Sequence, residues 1–199
     1  MKKRTVFLDR DGVINEVVYH KEMGIVDSAF TVEQFKILPD IGTAIHKLHE
    51  LGFIIILVSN QPGIAKDHHD METFQNIRMK MINELARENI SLDAEYYCFH
   101  HPEAKIGEYK VICECRKPKP GMILKAVEEH DIDLSHSWMI GDGINDIKAG
   151  ANAGCRTILI GRMKCDLCHF LEEENVKPDF VAPNLYKASL IIESEVTGK

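Results

Sequence analysis

Residues 6–12 read Val-Phe-Leu-Asp-Arg-Asp-Gly, an apolar run that ends in two acids separated by one residue. If the run is a strand, alternate side chains face the same way, so Asp9 and Asp11 project together from its carboxyl end. Two carboxylates held this close repel each other, and a divalent cation or a shared proton would relieve the repulsion. Such a pair suits one carboxylate as a nucleophile and the other as a proton shuttle. Taken alone, the segment is also compatible with an acidic turn after an edge strand, which is the less favoured alternative.

The composition is typical of a globular protein. The 199 residues fit a single domain spanning 1–199, and 45% hydrophobic with 28% charged residues are ordinary proportions. The net charge of −7, without a basic block, argues against a nucleic-acid partner. A basic pocket for a phosphorylated metabolite is still compatible with this balance.

The sequence predicts a cytoplasmic protein without a membrane partner, and we expect a monomer. Its amino-terminal residues 1–5 are basic, but Asp9 follows too soon for the apolar region of a signal peptide. No apolar run approaches the length needed to span a membrane. In a reducing compartment, the six cysteines are expected to be free thiols or metal ligands.

Apolar runs alternate with helical patterns along the chain. The run 53–58 is continuously apolar, which is typical of a strand buried on both faces of a parallel sheet. Apolar residues at helical spacing predict helices within 41–48, with Asp40 as N-cap, and within 74–85. This alternation predicts an α/β fold with a mostly parallel sheet. The strand candidates are 5–8, 53–58, 96–97, 138–140, 157–160 and 180–181.

Three of the predicted strands end in polar residues. Asp9 and Asp11 follow the first strand, Ser59 and Asn60 end the second, and Asp142 follows the fourth. Ligands of open α/β sheets bind outside the carboxyl ends of the strands. We therefore expect these side chains to form one catalytic site.

Four ordered motifs resemble those of the haloacid dehalogenase (HAD) superfamily. They are Phe-Leu-Asp-Arg-Asp-Gly at 7–12, Val-Ser-Asn-Gln at 58–61, Lys-Pro-Lys-Pro-Gly at 117–121 and Gly-Asp-Gly-Ile-Asn-Asp at 141–146. The resemblance covers about residues 5 to 160 and implies a Rossmann-like three-layer sandwich. It also implies an Mg²⁺-dependent phosphatase that works through an aspartyl-phosphate.

The resemblance assigns a role to each matched residue. It implies Asp9 as the nucleophile and Asp11 as the general acid and base, while Ser59 and Lys117 contact phosphoryl oxygens. Mg²⁺ would be held by Asp9, the backbone carbonyl of Asp11 and Asp142. Asp146 is expected to lie behind the ligands or to act as a helix N-terminal acid. Taken alone, Lys117 could be a solvated lysine and Ser59 a helix cap.

Two pairs of potential ligands suggest a zinc site. Cys98-Phe99-His100 is followed by Cys113-Glu114-Cys115, and two close pairs separated by a loop suit tetrahedral Zn²⁺. His101 could replace His100, and four unrelated residues with free thiols are the alternative. The cluster resembles the structural zinc loop of the D,D-heptose 1,7-bisphosphate and histidinol-phosphate phosphatases. That group has no large cap domain.

The resemblance also indicates substrate-binding residues. Arg116 resembles the recognition arginine of the group, and its planar fork could bind a second phosphate in two-point fashion; a surface salt bridge is the alternative. Asn60 and Gln61, from the second motif, are further predicted contacts. Tyr19 and His20 are added from segment 16–38, which departs from the group's pattern, although each is more often a packing or surface residue.

Cys165-Asp166-Leu167-Cys168-His169 has the spacing of a c-type haem attachment sequence. The absence of an export signal argues against haem, and a surface loop with incidental thiols is favoured over a redox pair or a weak metal site. Cys155 is expected to be a small core residue.

Taken together, the resemblances of the four motifs and of the cysteine cluster imply a phosphatase acting on a phosphorylated sugar. The expected substrate is D-glycero-D-manno-heptose 1,7-bisphosphate, at its 7-phosphate. Histidinol phosphate is the alternative substrate, and a nucleic-acid 3′-phosphatase is disfavoured by the acidic balance. A non-catalytic zinc-binding module and a cytochrome-like electron carrier are the alternatives of another class.

Overall fold

The computed structural model describes residues 2–161 and 177–198. Its centre is a six-stranded parallel sheet. The strands of this sheet are β1 (Thr5–Leu8), β4 (Ile54–Asn60), β5 (Ala94–Cys98), β6 (Trp138–Gly141), β7 (Arg156–Ile160) and β8 (Phe180–Ala182). Their spatial order is β5-β4-β1-β6-β7-β8. All six strands were predicted from the sequence, and the α/β class is confirmed.

Helices cover both faces of the sheet. They are α1 (Ile41–Glu50), α2 (Met71–Arg87), α3 (Gly121–His130), α4 (Ile144–Ala153) and α5 (Leu185–Thr197), with 3₁₀ turns at Gly107–Tyr109 and Leu134–His136. Alternate residues of β1 enter different cores: Val6 and Leu8 pack with α1, α2 and α5, whereas Phe7 packs with α3 and α4. The predicted three-layer arrangement follows from this division.

Local signals explain where the helices begin. The carboxylate of Asp70 accepts a hydrogen bond from the backbone N–H of Thr73, and this capping interaction starts α2. Asp40 precedes α1 as predicted, but its side chain makes no capping hydrogen bond, because its backbone is in the left-handed conformation with φ of 63°. The predicted N-cap position of Asp40 is therefore confirmed, although its side chain does not cap the helix.

The segment between β1 and α1 carries a small antiparallel hairpin that the sequence analysis did not predict. Its strands are β2 (Val18–His20) and β3 (Ile25–Asp27), and Tyr19 pairs with Val26. Each strand has three residues of mixed polarity, Val-Tyr-His and Ile-Val-Asp, so neither forms a clear apolar run in the sequence. The fold thus has a hairpin here in place of a large cap domain.

Two sequence predictions are not settled by the fold. The Cys165-to-His169 segment lies outside the described residues, and the single domain over 1–199 stays a prediction. Among the described residues, none of the helices has the length and apolar character required to cross a membrane.

Candidate active site

The turn after β1 brings Asp9 to the centre of the sheet edge. The backbone N–H of Asp9 donates to the carbonyl of Ile140 at 3.0 Å, which continues the pairing of β1 with β6. Gly12 follows with φ of 77°, and a Cβ at this position would lie 2.0 Å from Oδ2 of Asp142. A glycine is therefore needed for the turn to approach Asp142.

Lys117 is buried among carboxylates at this edge. Its Nζ lies 2.9 Å from Oδ1 of Asp9 and 2.5 Å from Oδ1 of Asp146. The same ammonium donates to the carbonyl of Val58 at 2.8 Å, and the lysine side chain is only 3% exposed. The ammonium of Lys117 therefore has two carboxylate partners and one backbone carbonyl partner.

The pKa values reflect the crowding of negative charge. Burial raises the pKa of Asp9 to about 6; Lys117 opposes the shift, and the charges of Asp146 and Asp11 add to it. The pKa of Asp142 is also raised, because its carboxylate is partly shielded from water and lies near the charges of Asp9 and Asp146. Although burial acts to lower it, the pKa of Lys117 is raised by Asp146 and Asp9. The single positive charge of Lys117 does not balance the carboxylates around it, so the cluster keeps excess negative charge.

The carboxylates of Asp9, Asp142 and Asp146 could hold a divalent cation. One oxygen from each lies within 4.8 Å of the others, and Asp142 is the member most exposed to solvent. Oxygen donors with excess negative charge suit Mg²⁺. The sequence analysis assigned the ligands to Asp9, Asp11 and Asp142, whereas in the structure the carboxylate of Asp146 joins the group. The Oδ2 of Asp146 also accepts from the backbone N–H of Gly143 at 3.0 Å, at the start of α4.

The carboxylate of Asp11 lies in a different set of contacts from that of Asp9. Arg10, which is 1% exposed, donates to it through Nε and Nη2, each at 3.2 Å. Asn15 donates to it at 2.9 Å and Gln61 at 2.7 Å. The sequence analysis did not assign Arg10 or Asn15 to the site. A charged residue between two acids at a strand end was a signal that could have indicated Arg10.

The end of β4 supplies three predicted residues. Ser59 is 1% exposed, and its hydroxyl accepts from Nε2 of Gln61 at 3.0 Å. Gln61 therefore bridges Ser59 and Asp11. The amide of Asn60 is paired with the backbone of Lys117, to which it donates at 2.9 Å and from which it accepts at 3.0 Å.

The other predicted substrate contacts are arranged differently. Arg116 is half-buried and donates from Nη1 to the carbonyl of His100 at 3.1 Å. Tyr19 is 59% exposed on the hairpin. His20 is buried, stacks on Phe30 with ring centroids 3.7 Å apart, and bonds the carbonyl of Ser28 at 2.9 Å. The geometry gives His20 a packing role in the hairpin.

The four predicted zinc ligands meet beside β5. The Sγ of Cys115 lies 3.2 Å from the Sγ atoms of both Cys98 and Cys113 and 3.5 Å from Nδ1 of His100. A tetrahedral ion with Zn–S bonds of about 2.3 Å places sulfurs roughly 3.8 Å apart, close to these separations. His101 is not part of this group, and its Nδ1 accepts from the backbone N–H of Glu103 at 3.1 Å, so the geometry favours His100.

The thiol pKa values within this cluster diverge. Burial raises the pKa of Cys98, and its interactions with the neighbouring thiols of Cys115 and Cys113 add to the increase. At Cys113 burial acts in the same direction, but hydrogen bonds from Cys115, the Arg116 backbone and His100 bring the pKa down to about 7. Deprotonated sulfur is the form that binds metal, so the cluster is chemically suited to an ion such as Zn²⁺.

Comparison with known proteins agrees with this geometry. The HAD-hydrolase-like family model matches residues 114–188. A D-glycero-beta-D-manno-heptose-1,7-bisphosphate 7-phosphatase of Haemophilus influenzae is 40% identical over 150 residues, which cover 75% of this chain and 77% of that protein. A D-glycero-alpha-D-manno-heptose-1,7-bisphosphate 7-phosphatase of Burkholderia mallei is 41% identical over 160 residues, 80% of each chain.

A solved structure extends the match to almost the whole fold. The D,D-heptose 1,7-bisphosphate phosphatase of B. bronchiseptica, complexed with magnesium and phosphate, superposes with a TM-score of 0.77. It is 28% identical, and the match covers 96% of this chain and 99% of that one. Fold, site and sequence together identify a HAD-like phosphatase, a hydrolase of phosphoric monoesters. Within that class, the chain belongs to the family of the D-glycero-D-manno-heptose-1,7-bisphosphate 7-phosphatases.

Proposed function

We propose that this protein removes the 7-phosphate of D-glycero-D-manno-heptose 1,7-bisphosphate through an aspartyl-phosphate on Asp9. The observation that carries the proposal is the position of the Asp9 carboxylate, 2.9 Å from the buried ammonium of Lys117 at the central strand end. The names of the relatives support the choice of substrate. A cytoplasmic location and a monomeric state are part of the same proposal.

The residues of the site divide the reaction between them. A carboxylate oxygen of Asp9 attacks phosphorus, and the bond to the sugar oxygen breaks as Asp11 protonates that oxygen. Asp11 then takes a proton from the water that attacks the aspartyl-phosphate, which releases phosphate and regenerates Asp9. The hydroxyl of Ser59 and the ammonium of Lys117 stabilise charge on the phosphoryl oxygens. The hydrogen bonds from Arg10, Asn15 and Gln61 orient Asp11 for both steps.

Magnesium fits the acidic group around Asp9. Asp9 and Asp142 would hold it with the backbone carbonyl of Asp11, and the carboxylate of Asp146 is close enough to take part. When bound, the ion neutralises phosphoryl charge and orients the phosphate for in-line attack. Lys117 pairs with both Asp9 and Asp146 and thereby offsets the repulsion between their carboxylates.

Zinc fits the group formed by Cys98, His100, Cys113 and Cys115. All four positions are filled by protein, as in structural zinc sites. Cys115 directly precedes Arg116 and Lys117, and Arg116 donates to the carbonyl of His100. An ion at this position would therefore fix the loop from which both cations extend, and we assign zinc this positioning role.

Arg116 is the group we assign to the second phosphate of the substrate. Its guanidinium is half-buried beside the zinc ligands and can present a planar pair of donors. Histidinol phosphate carries no second phosphate, and Arg116 therefore favours the bisphosphate. Relatives named for the beta and for the alpha anomer are of similar identity, so both anomers belong in the assay.

The proposal is tested by phosphate release from both heptose bisphosphate anomers and from histidinol phosphate, each with Mg²⁺. We expect a higher kcat/KM for a heptose bisphosphate, and equal or higher turnover of histidinol phosphate would contradict the choice of substrate. Asp9→Asn should abolish turnover, since an amide cannot act as the anionic nucleophile. Asp131→Asn, at the remote end of α3, is the control. Background phosphatase activity that survives Asp9→Asn unchanged would instead favour a non-catalytic zinc module.

A further inference from the structure

The side chain of Asn60 and the main chain of Lys117 form a reciprocal pair of hydrogen bonds. Nδ2 of Asn60 donates to the carbonyl of Lys117 at 2.9 Å, and the backbone N–H of Lys117 donates to Oδ1 of Asn60 at 3.0 Å. The two residues are 57 positions apart in the chain. The last residue of β4 is thus joined to the backbone that carries the proposed catalytic ammonium.

Lys117 is attached to β4 at a second point. Its Nζ donates to the carbonyl of Val58 at 2.8 Å, two residues before Asn60. The loop of Lys117 lies between β5 and α3 and forms no strand of its own, whereas β4 is hydrogen-bonded to β1 and β5 on its two sides. A rigid central strand therefore holds both the backbone and the ammonium of a residue that comes from a loop.

Both bonds depend on the primary amide of Asn60. An amide supplies a donor and an acceptor side by side, which matches the C=O and N–H of one residue. An aspartate at position 60 would keep the acceptor and lose the donor, and an alanine would lose both. Since lysine has a flexible four-carbon stem, loss of the backbone attachment lets its ammonium move relative to Asp9.

We propose that the side chain of Asn60 positions Lys117 and is not the direct substrate contact that the sequence suggested. The inference rests on the proposed function, because it needs Lys117 to act on the phosphoryl group. It makes the amide responsible for the 2.9 Å separation of Lys117 Nζ and Asp9 Oδ1. A misplacement of about 1 Å at a reacting centre costs about 10²-fold in rate.

The test compares Asn60→Ala and Asn60→Asp with wild type on two substrates, heptose bisphosphate and p-nitrophenyl phosphate. The second substrate has a phosphoryl group but no sugar. Each Asn60 variant is also combined with Lys117→Met. Asn152→Ala is the control, because it removes a hydrogen bond of 3.3 Å to the carbonyl of the adjacent Pro118 without touching Lys117. Thermal unfolding identifies the variants that fold.

We expect kcat to fall about 10²-fold in Asn60→Ala, and by a similar factor for both substrates. Asn60→Asp, which keeps one of the two bonds, should also lose kcat and remains informative if the alanine variant does not fold. In the Lys117→Met background the Asn60 changes should have no further effect on kcat, because no ammonium remains to be positioned. Asn152→Ala should match wild type.

Three results would overturn the inference while the proposed function stands. They are an unchanged kcat in a folded Asn60 variant, a loss confined to the sugar substrate, and a loss that adds in full to that of Lys117→Met. The second would show a direct contact between Asn60 and the sugar. A wild-type protein that hydrolyses neither substrate would instead overturn the proposed function, and this inference with it.

Discussion

Replacing Lys117 with methionine tests the electrostatic argument for the site. The substitution keeps an unbranched apolar stem of similar length and removes the positive charge beside Asp9 and Asp146. At the observed separation of 2.9 Å, an effective dielectric constant of about 20 gives an attraction of roughly 6 kcal/mol for one pair. Part of this is offset because the lysine no longer has to be dehydrated. We therefore expect a loss of about 3–5 kcal/mol in the free energy of unfolding at pH 8, typical for breaking a buried pair.

Activity should fall as well, by about 10²–10³-fold in kcat, because a charge aimed at the phosphoryl oxygens is lost. Denaturant unfolding of the metal-free protein measures the first effect, and phosphate release under folding conditions measures the second. Lys119→Met is the matched control: it lies in the same loop and pairs with Glu114 at 2.7 Å, but it is 40% exposed. Screening by solvent should leave that variant close to wild type in both assays. If Lys117→Met were as stable and as active as wild type, the reasoning would be refuted.

Three further predictions follow from the same geometry. Cys113→Ala should lose zinc and turnover together, and metal analysis that finds zinc lost at full activity would contradict the positioning role. Gly12→Ala should weaken Mg²⁺ binding and activity, because its Cβ would lie 2.0 Å from Asp142. Gly24→Ala is the control, because Gly24 has a similar φ of 66° and open space around it. That variant measures the loss of stability caused by the left-handed backbone alone, about 1–2 kcal/mol. Burial raises the pKa of Asp9 to about 6, so its ionisation costs the metal-free protein stability as pH rises through that value. Mg²⁺ should therefore raise Tm more at pH 8 than at pH 5, and equal shifts would contradict this.

The sheet and the main candidate residues of the site were accessible from local sequence patterns. Apolar runs identified the central strands β1, β4, β6 and β7, because strands buried on both faces leave continuous apolar segments. The edge strands β5 and β8, which are partly exposed, were indicated only by short apolar or aromatic pairs. Polar residues just after those runs then had to meet at one sheet edge. The hairpin β2–β3 was missed because its short strands mix apolar and polar residues and leave no apolar run. At Asp40 the residue type indicated the N-cap position, but not the left-handed backbone with which its side chain makes no capping hydrogen bond.

The site shows the same division at the level of single residues. The alternation of a strand placed Asp9 and Asp11 on one side, and the spacing of Cys98, Cys113 and Cys115 indicated a metal cluster. The sequence could not choose between His100 and His101, because adjacent residues are equivalent until the loop is folded. Arg10 likewise had no assignable role before its burial against Asp11 was known.

By itself the sequence determined the order of strands along the chain, and it indicated the carboxylates proposed for catalysis and the pairs of potential zinc ligands, since these depend on residues close together in the chain. Only the tertiary structure decided that Asp146 joins Asp9 around Lys117 and that the Asn60 amide is used by the Lys117 backbone. Those contacts join residues from different strands and loops. These residues are far apart in the chain, so whether they meet depends on where the fold places the backbone of each one. Local sequence patterns carry no information about that placement.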